Sequence, residues 1–260
     1  MASSSVLIKT DGRGVGSVIL NRPRVNNAYN SDMIQGLTEA INELSSNPKI
    51  KAIVLRANGR HFQAGADLEW IKQISKLSLK QNIQISENTS KAVLGLNSCP
   101  KPTLALVNGG CIGGGTGIAA ACDIVLASDD SFFAISEVRW GLHAGPILPL
   151  LAGAIGTQNL RRLALSGEYF DAYHAQKIGL VHEVCDTGKL DTTALPILEK
   201  LLENGPEAMR DTKRIILGLE EDKGDKGLAR KLVEEHACKR MSNEAAEGLK
   251  IFLENKPEKY

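Results

Sequence analysis

Apolar segments of two different periodicities alternate along the first two thirds of this chain. Short segments rich in β-branched residues are typical of strands. They lie at residues 17–20, 50–56, 103–107, 124–127 and 132–135. Between the first two, apolar residues recur at helical spacing from Met33 to Leu44. Because strands that alternate with helices usually pair in parallel through crossover connections, the pattern predicts an α/β protein built on a parallel sheet.

The last third has a different pattern. Apolar positions at helical spacing predict successive helices at 195–202, 206–217, 228–240 and 244–253. We therefore expect a core of residues 1–190 followed by a helical region, residues 191–260. The apolar stripe of the last helix fits either packing on the core or contact with another subunit, since so small an appendage buries little surface alone.

The charge balance excludes several classes of partner. Lysine and arginine number 31 and aspartate and glutamate 30, so the chain lacks the basic footprint of a protein that binds nucleic acid or anionic lipid. No apolar run approaches the roughly 20 residues that span a bilayer. These features predict a small-molecule partner, with neither nucleic acid nor membrane involved.

The cysteines and the N-terminal residues bear on location. The five cysteines are odd in number and widely spread, and they contain no C-x-x-C pair. This argues against a disulfide framework and against a zinc site. The first residues lack the basic and long apolar segments of a signal peptide. We therefore expect a cytoplasmic protein without a metal.

A glycine run at residues 109–117 follows one predicted strand and opens a helix-like segment. Such a turn leaves backbone N–H groups uncovered and can bind a negative oxygen. A dinucleotide site is disfavoured, because the run lacks the third glycine of G-x-G-x-x-G. A phosphate loop of the Walker type is disfavoured too, because no Lys-Ser or Lys-Thr follows. A second glycine turn, residues 61–67, also follows a strand. Two such turns together favour an oxyanion hole, with one N–H from each.

Several ordered motifs resemble the crotonase, or enoyl-CoA hydratase/isomerase, superfamily. They are Asn21-Arg22-Pro23, Asn26-Asn27-Ala28, Phe62 to Leu68, Lys101-Pro102, Asn108 to Gly115, and Ala121-Cys122-Asp123. The resemblance implies a spiral of ββα units with a C-terminal helical region that forms homotrimers, often paired into hexamers. It also implies an acyl-CoA thioester as substrate, with no further cofactor, since coenzyme A is part of that substrate.

The resemblance also implies roles for individual residues. Ala66 and Gly114 would donate their N–H groups to the thioester oxygen as it gains enolate character. The residues expected near the substrate or its CoA part are Arg22, Arg24, Val25, Ala64, Gly65, Asp67, Leu68, Gly113, Arg139 and Lys256. Among these, Arg22, Arg24 and Lys256 are candidate phosphate partners or solvated surface residues. Asp67 fits a helix cap as well as a site residue.

One catalytic carboxylate of the two-glutamate hydratases is missing. Gly117 stands where the first glutamate is expected, and Glu137 matches the second. On an apolar segment Glu137 should have a raised pKa, which suits an acid/base; an ion pair with Arg139 is the alternative. A single base is compatible with a hydratase, with a Δ3,Δ2-enoyl-CoA isomerase, or, if activity is lost, with an acyl-CoA-binding paralogue.

The segment around Glu137 favours the hydratase. Its Ser-Glu-Val-Arg-x-Gly-Leu pattern resembles bacterial 3-methylglutaconyl-CoA and isohexenylglutaconyl-CoA hydratases, which act in leucine and terpene degradation. The resemblance implies a branched glutaconyl-CoA as the expected substrate. Residues 143–146 depart from that pattern. The distal carboxylate of such substrates would need a cation, for which Arg139, Lys72 and His143 are the candidates.

Overall fold

The computed structural model describes residues 4–219 and 228–254. The chain divides into two compact units, Met1–Leu202 and Glu203–Tyr260. The first unit therefore extends beyond the expected boundary at residue 190. The physical reason is a helix, Leu190–Glu203, whose Ala194 and Leu198 pack in the core of the first unit.

Two sheets form the framework of the first unit. The larger contains, in spatial order, β1 (Val6–Thr10), β2 (Val15–Leu20), β3 (Ala52–Ala57), β4 (Thr103–Val107), β6 (Ile124–Ser128) and β9 (Glu183–Cys185). The smaller contains β5 (Gly110–Ile112), β7 (Phe132–Ala134) and β8 (Tyr169–Asp171). Every neighbouring pair of the large sheet is parallel except β1 with β2, which confirms the predicted parallel pairing.

The helices of this unit connect the strands. They are α1 (Ser31–Ser46), α2 (Leu68–Ile74), α3 (Leu79–Asn97), α4 (Gly114–Ala120), α5 (Leu148–Ser166), α6 (Ala172–Lys177) and α7 (Leu190–Glu203). From β4 onward the chain passes to β5 in the small sheet, returns through α4 to β6, and passes again to β7. This order confirms the predicted spiral. Among the described residues, no helix is both long and apolar enough to cross a bilayer.

The inner strands of the large sheet, such as β3 and β4, are buried on both faces. Ile53 and Leu55 of β3 face a core cluster with α1 and α3, whereas Ala52 and Val54 face a second cluster closed by α7. Because successive side chains of a strand point to opposite faces, a strand covered on both sides reads as one continuous apolar run. This is why β3 and β4 are recognisable in the sequence.

The second unit contains α8 (Pro206–Gly218), α9 (Leu228–Arg240) and α10 (Asn243–Glu254), which confirms the predicted helices. Glu244 accepts hydrogen bonds from the N–H groups of Glu207 and Ala208, at 2.7 and 2.9 Å, at the start of α8. Lys239 pairs with Glu244 at 2.9 Å. None of the described residues of this unit belongs to the buried hydrophobic core.

A buried asparagine fixes the loops beneath the glycine turns. Asn27 has no solvent exposure. Its amide donates to the carbonyls of Asn58 and His61, at 2.9 and 2.8 Å, and its Oδ1 accepts from the N–H of Arg22 at 2.7 Å. Its backbone is left-handed, at φ 56°, a conformation that asparagine tolerates better than most residues.

Asn27→Ala should destabilise the protein by about 2–3 kcal/mol, because it removes three hydrogen bonds of a buried side chain to partly buried backbone groups and places alanine at positive φ. Asn42→Ala, at an exposed position of α1, is the matched control and should stay within about 0.5 kcal/mol of the parent. Chemical unfolding followed by circular dichroism measures both variants. Equal stability of the two would contradict this role for Asn27.

Candidate active site

The first glycine turn lies between β3 and α2 and is held by a buried glutamine. Gly65 has φ 86°, and its N–H donates to the Oε1 of Gln63 at 2.7 Å. Backbone hydrogen bonds of Tyr29 hold the residues on either side of Ala66. The N–H of Tyr29 donates to Gly65 O and its carbonyl accepts from Asp67 N, both at 2.9 Å. The N–H of Ala66 itself donates to no group among the described residues.

The second glycine turn connects β5 to α4. Gly113 has φ 54°, and its N–H donates to the carbonyl of Ala134, at the end of β7, at 2.7 Å. Thr116 closes the turn with two hydrogen bonds to Gly113 O, from its N–H at 2.9 Å and its hydroxyl at 2.7 Å. Gly114, the first residue of α4, has an N–H without an acceptor in the described ranges.

Backbone hydrogen bonds place the two turns side by side. Gln63 N donates to Gly110 O at 3.0 Å, and Ile112 N donates to Gln63 O at 2.8 Å. A Cβ on Gly113 would lie 3.6 Å from the Cα of Gly65. The structure therefore brings together the two segments that carry the predicted donors, Ala66 and Gly114. Their roles as oxyanion donors stay predictions.

Glu137 lies directly beside this junction. It begins a 3-10 turn after β7, and its Oε1 is 2.9 Å from the position of a Cβ on Gly113. Its Oε2 is buried and has no hydrogen-bond partner among the described groups. Burial raises the pKa of Glu137, and a hydrogen bond from its own backbone opposes this only in part. The predicted raised pKa is thus confirmed.

The alternative ion pair of Glu137 with Arg139 does not form. The Arg139 guanidinium lies over the ring of Tyr169, 4.9 Å from its centroid. Arg139 is exposed, as are the other two candidate cations, Lys72 and His143.

Gly117 is packed rather than vacant. A Cβ at this position would overlap the Cβ and Cγ2 of Ile147, which is buried. Ile147 ends the 3-10 turn Gly145–Ile147, just before α5. This turn contains part of the segment, residues 143–146, at which the sequence departs from the glutaconyl-CoA hydratases. The space next to Gly117 is therefore filled by hydrocarbon, and a glutamate does not fit there without rearrangement.

An apolar cavity opens beside Gly114. It encloses about 390 Å³, including the part open to solvent. Its lining residues come mainly from α1 and α3: Tyr29, Met33, Ile34, Leu37, Thr89, Ala92, Val93, Gly114, Ile118 and Ile147. None of them is charged. Sequence reasoning overlooked Tyr29, because a tyrosine between Asn-Asn-Ala and a helix cap shows no chemical pattern of its own.

Two residues expected near the CoA bind each other. Arg22 Nη2 and Asp67 Oδ2 form a half-buried ion pair at 2.9 Å, and Arg22 Nη1 also donates to Ala28 O. The other oxygen of Asp67 accepts from the N–H groups of Glu69 and Trp70 at the start of α2, so the cap interpretation of Asp67 is confirmed. The guanidinium of Arg22 therefore has protein partners, and a contact of Arg22 with a phosphate of CoA stays a prediction.

The remaining CoA candidates lie at or near the surface. Arg24, Val25 and Leu68 are exposed, and Ala64 is partly buried, with its N–H bonded to Asn26 O at 3.1 Å. Lys256 lies outside the described residues.

Gly117→Ala should destabilise the protein by about 1–3 kcal/mol, because its methyl group would overlap Ile147 in a filled core. Gly95→Ala is the matched control. Gly95 is an exposed residue of α3 with no atom within 4 Å of a Cβ, so this change should stabilise by about 0.5–1 kcal/mol. Chemical denaturation tests both. Shifts of the same sign and size would show that Ile147 leaves room at Gly117.

Comparisons with known proteins identify the family of this chain. The family model described as enoyl-CoA hydratase/isomerase matches residues 10–260. A short-chain-enoyl-CoA hydratase of Clostridium acetobutylicum is 31% identical, over 83% of this chain and 82% of its own. A peroxisomal Δ(3,5)-Δ(2,4)-dienoyl-CoA isomerase of Arabidopsis thaliana is 32% identical, over 86% and 84%.

Solved structures share the fold. The crystal structure of an enoyl-CoA hydratase from Shewanella pealeana superposes with a TM-score of 0.93 at 32% identity, covering 98% of this chain and 96% of that one. The fold, the family model and these relatives agree. The chain belongs to the enoyl-CoA hydratase/isomerase family, the crotonase superfamily.

Proposed function

We propose that this enzyme is an enoyl-CoA hydratase, which adds water across the α,β double bond of an acyl-CoA thioester. One observation carries the proposal. The carboxylate of Glu137, with its partnerless Oε2, lies against the same glycine turn that presents the free N–H of Gly114. A group that can act as acid or base and an N–H that can bind an anion therefore lie at the same glycine turn.

The two N–H groups would bind the thioester oxygen. When water adds to Cβ, the π electrons move toward that oxygen and give it enolate character. The donors of Ala66 and Gly114 stabilise this charge, and each is worth about 10²–10³ in rate in comparable sites. Because backbone bonds already fix both turns, little reorganisation is needed when the charge develops.

Glu137 would move the protons. In its ionised form it takes a proton from the water as the oxygen bonds to Cβ, and it then returns a proton to Cα. Water is consumed and no electrons are lost or gained. The reaction needs no cofactor, since coenzyme A enters as part of the substrate.

A Δ3,Δ2-enoyl-CoA isomerase is the second candidate. Ile147 fills the space of a second carboxylate, and moving a proton between Cα and Cγ needs only one base. A β,γ-enoyl-CoA offered in H₂¹⁸O distinguishes the two, because only hydration incorporates ¹⁸O. Acyl-CoA binding without turnover of any substrate would instead indicate a silent paralogue.

The lining of the cavity favours a substrate with a hydrocarbon acyl chain. None of its lining residues is charged, and Arg139, Lys72 and His143 are not among them. The branched glutaconyl-CoA suggested by the motif around Glu137 therefore lacks a visible cation for its distal carboxylate. It is the substrate that the sequence motif predicts, and a role in leucine or terpene degradation depends on it.

A homotrimer or a hexamer is part of the proposal. Ile216, Val233 and Leu249, in the three helices of the second unit, are more than half exposed. Apolar surface of this kind supports burial against other subunits. All five cysteines are free thiols, which is compatible with the expected cytoplasmic location.

Glu137→Gln should lower kcat by about 10² or more, because it removes a positioned acid/base. In the parent enzyme, the acidic limb of kcat/KM should lie above pH 4.5, the ordinary glutamate pKa, since Glu137 must be ionised to accept a proton. Steady-state kinetics between pH 4 and 9 test both. Near-normal turnover in the variant would remove Glu137 from the mechanism.

The same variant should be more stable at neutral pH. A carboxyl whose pKa is raised by folding binds its proton more tightly in the folded chain, so stability falls as pH rises from the unfolded pKa through the folded one. Glutamine does not ionise, so the Glu137→Gln variant does not lose stability over this pH range. A thermal melt that shows lower stability for the variant at neutral pH, and not at acidic pH, would contradict the burial account.

Enoyl-CoA thioesters with apolar chains should be hydrated at least about tenfold better, by kcat/KM, than glutaconyl-type thioesters of equal length. The reason is the cost of placing an unpaired carboxylate in an apolar cavity. Loss of enoyl absorbance measures the panel. A preference for the glutaconyl compounds would show that a cation reaches the distal end of the chain.

A further inference from the structure

Tyr29 lines the cavity with a hydroxyl that is available to a ligand. Of the lining residues, only Tyr29 and Thr89 carry a side-chain hydroxyl. The Thr89 hydroxyl donates to Ile85 O at 3.0 Å, within α3. The Tyr29 hydroxyl makes no hydrogen bond within residues 4–219 and 228–254. This hydroxyl is not fully buried, so it is open to the cavity and can bind a water or a ligand group.

The ring of Tyr29 lies against Gly114, one of the two predicted donors. A Cβ on Gly114 would lie 2.5 Å from Cε1 of Tyr29 and 3.3 Å from both Cδ1 and Cζ, so the Cε1 edge of the ring contacts this residue and the carbon that carries the hydroxyl is close to it. The edge of the ring meets Trp70 at a centroid distance of 5.7 Å. These contacts hold the side chain in one orientation.

Glu137 and Tyr29 contact adjacent residues of the second glycine turn. A Cβ on Gly113 would lie 2.9 Å from Oε1 of Glu137, and a Cβ on Gly114 would lie 2.5 Å from Cε1 of Tyr29. Burial, and then the nearby charge of Glu137, raise the pKa of Tyr29 to about 12. At neutral pH the phenol is therefore protonated and can donate.

A reacting water needs more than one polar partner to be held in place. Glu137 supplies one. Ile147 occupies the space in which a second carboxylate would lie, so another group has to supply the second polar partner of the water. Tyr29 is the available donor on the cavity wall.

We propose that Tyr29 is a second catalytic residue of the hydration, whose hydroxyl donates a hydrogen bond to the water that Glu137 deprotonates. This rests on the proposed hydratase function. The water donates one proton to Glu137, accepts a hydrogen bond from Tyr29, and directs its other lone pair at Cβ. The O–H bond of the water breaks as the C–O bond forms, and Glu137 returns the proton to Cα.

The test compares Tyr29→Phe with the parent, using 2-enoyl-CoA thioesters. The phenylalanine ring keeps the contacts with Gly114 and Trp70 and removes only the hydroxyl. We expect kcat to fall about 10- to 100-fold, while KM and the melting temperature change little. Tyr173→Phe, at an exposed position of α6, is the matched control and should leave all three values unchanged.

The outcomes separate this inference from the function on which it rests. If the parent hydrates no enoyl-CoA, the hydratase proposal fails, and the catalytic role of Tyr29 fails with it. If the parent hydrates and Tyr29→Phe retains its kcat, only the role of Tyr29 is overturned. A fall in kcat accompanied by a matching loss of thermal stability also overturns it, in favour of a packing role.

Discussion

The site depends on the backbone hydrogen bonds that join the two glycine turns. Gln63 exchanges bonds with the strand β5, at Gly110 and Ile112, and Tyr29 bridges the residues on either side of Ala66. Without these bonds, the N–H groups of Ala66 and Gly114 would belong to separate, mobile loops. Preorganised donors stabilise a developing charge without reorganising when it appears, which is why rigidity matters here.

The glycines around residues 113–117 are required by contacts with specific neighbours. A side chain on Gly113 would strike Glu137, one on Gly114 would strike Tyr29, and one on Gly115 would strike Gln63. Gly117 is in contact with Ile147. The glycine run is therefore a tightly packed segment, against which the carboxylate, the phenol and the acyl cavity are all assembled.

The sequence predicted well whatever depends on local pattern. The β3 and β4 strands are continuous apolar runs because both faces are buried, and the glycine turns stand out by composition. In contrast, β5, β8 and β9 have three residues each, which is too short for a period to be recognised. The partner of Arg22 lies 45 positions along the chain, so its ion pair with Asp67 could not be seen either. Tyr29 was overlooked for the same reason: its importance comes from the residues that fold against it.

In the proposed reaction, Ala66, Gly114 and Glu137 converge on one thioester. A crystal structure of the Glu137→Gln variant with a bound 2-enoyl-CoA tests this convergence. We predict that the thioester oxygen lies about 3 Å from the backbone nitrogens of both Ala66 and Gly114, with Cβ facing residue 137. A thioester oxygen bound elsewhere, or an acyl chain outside the cavity of α1 and α3, would contradict the account.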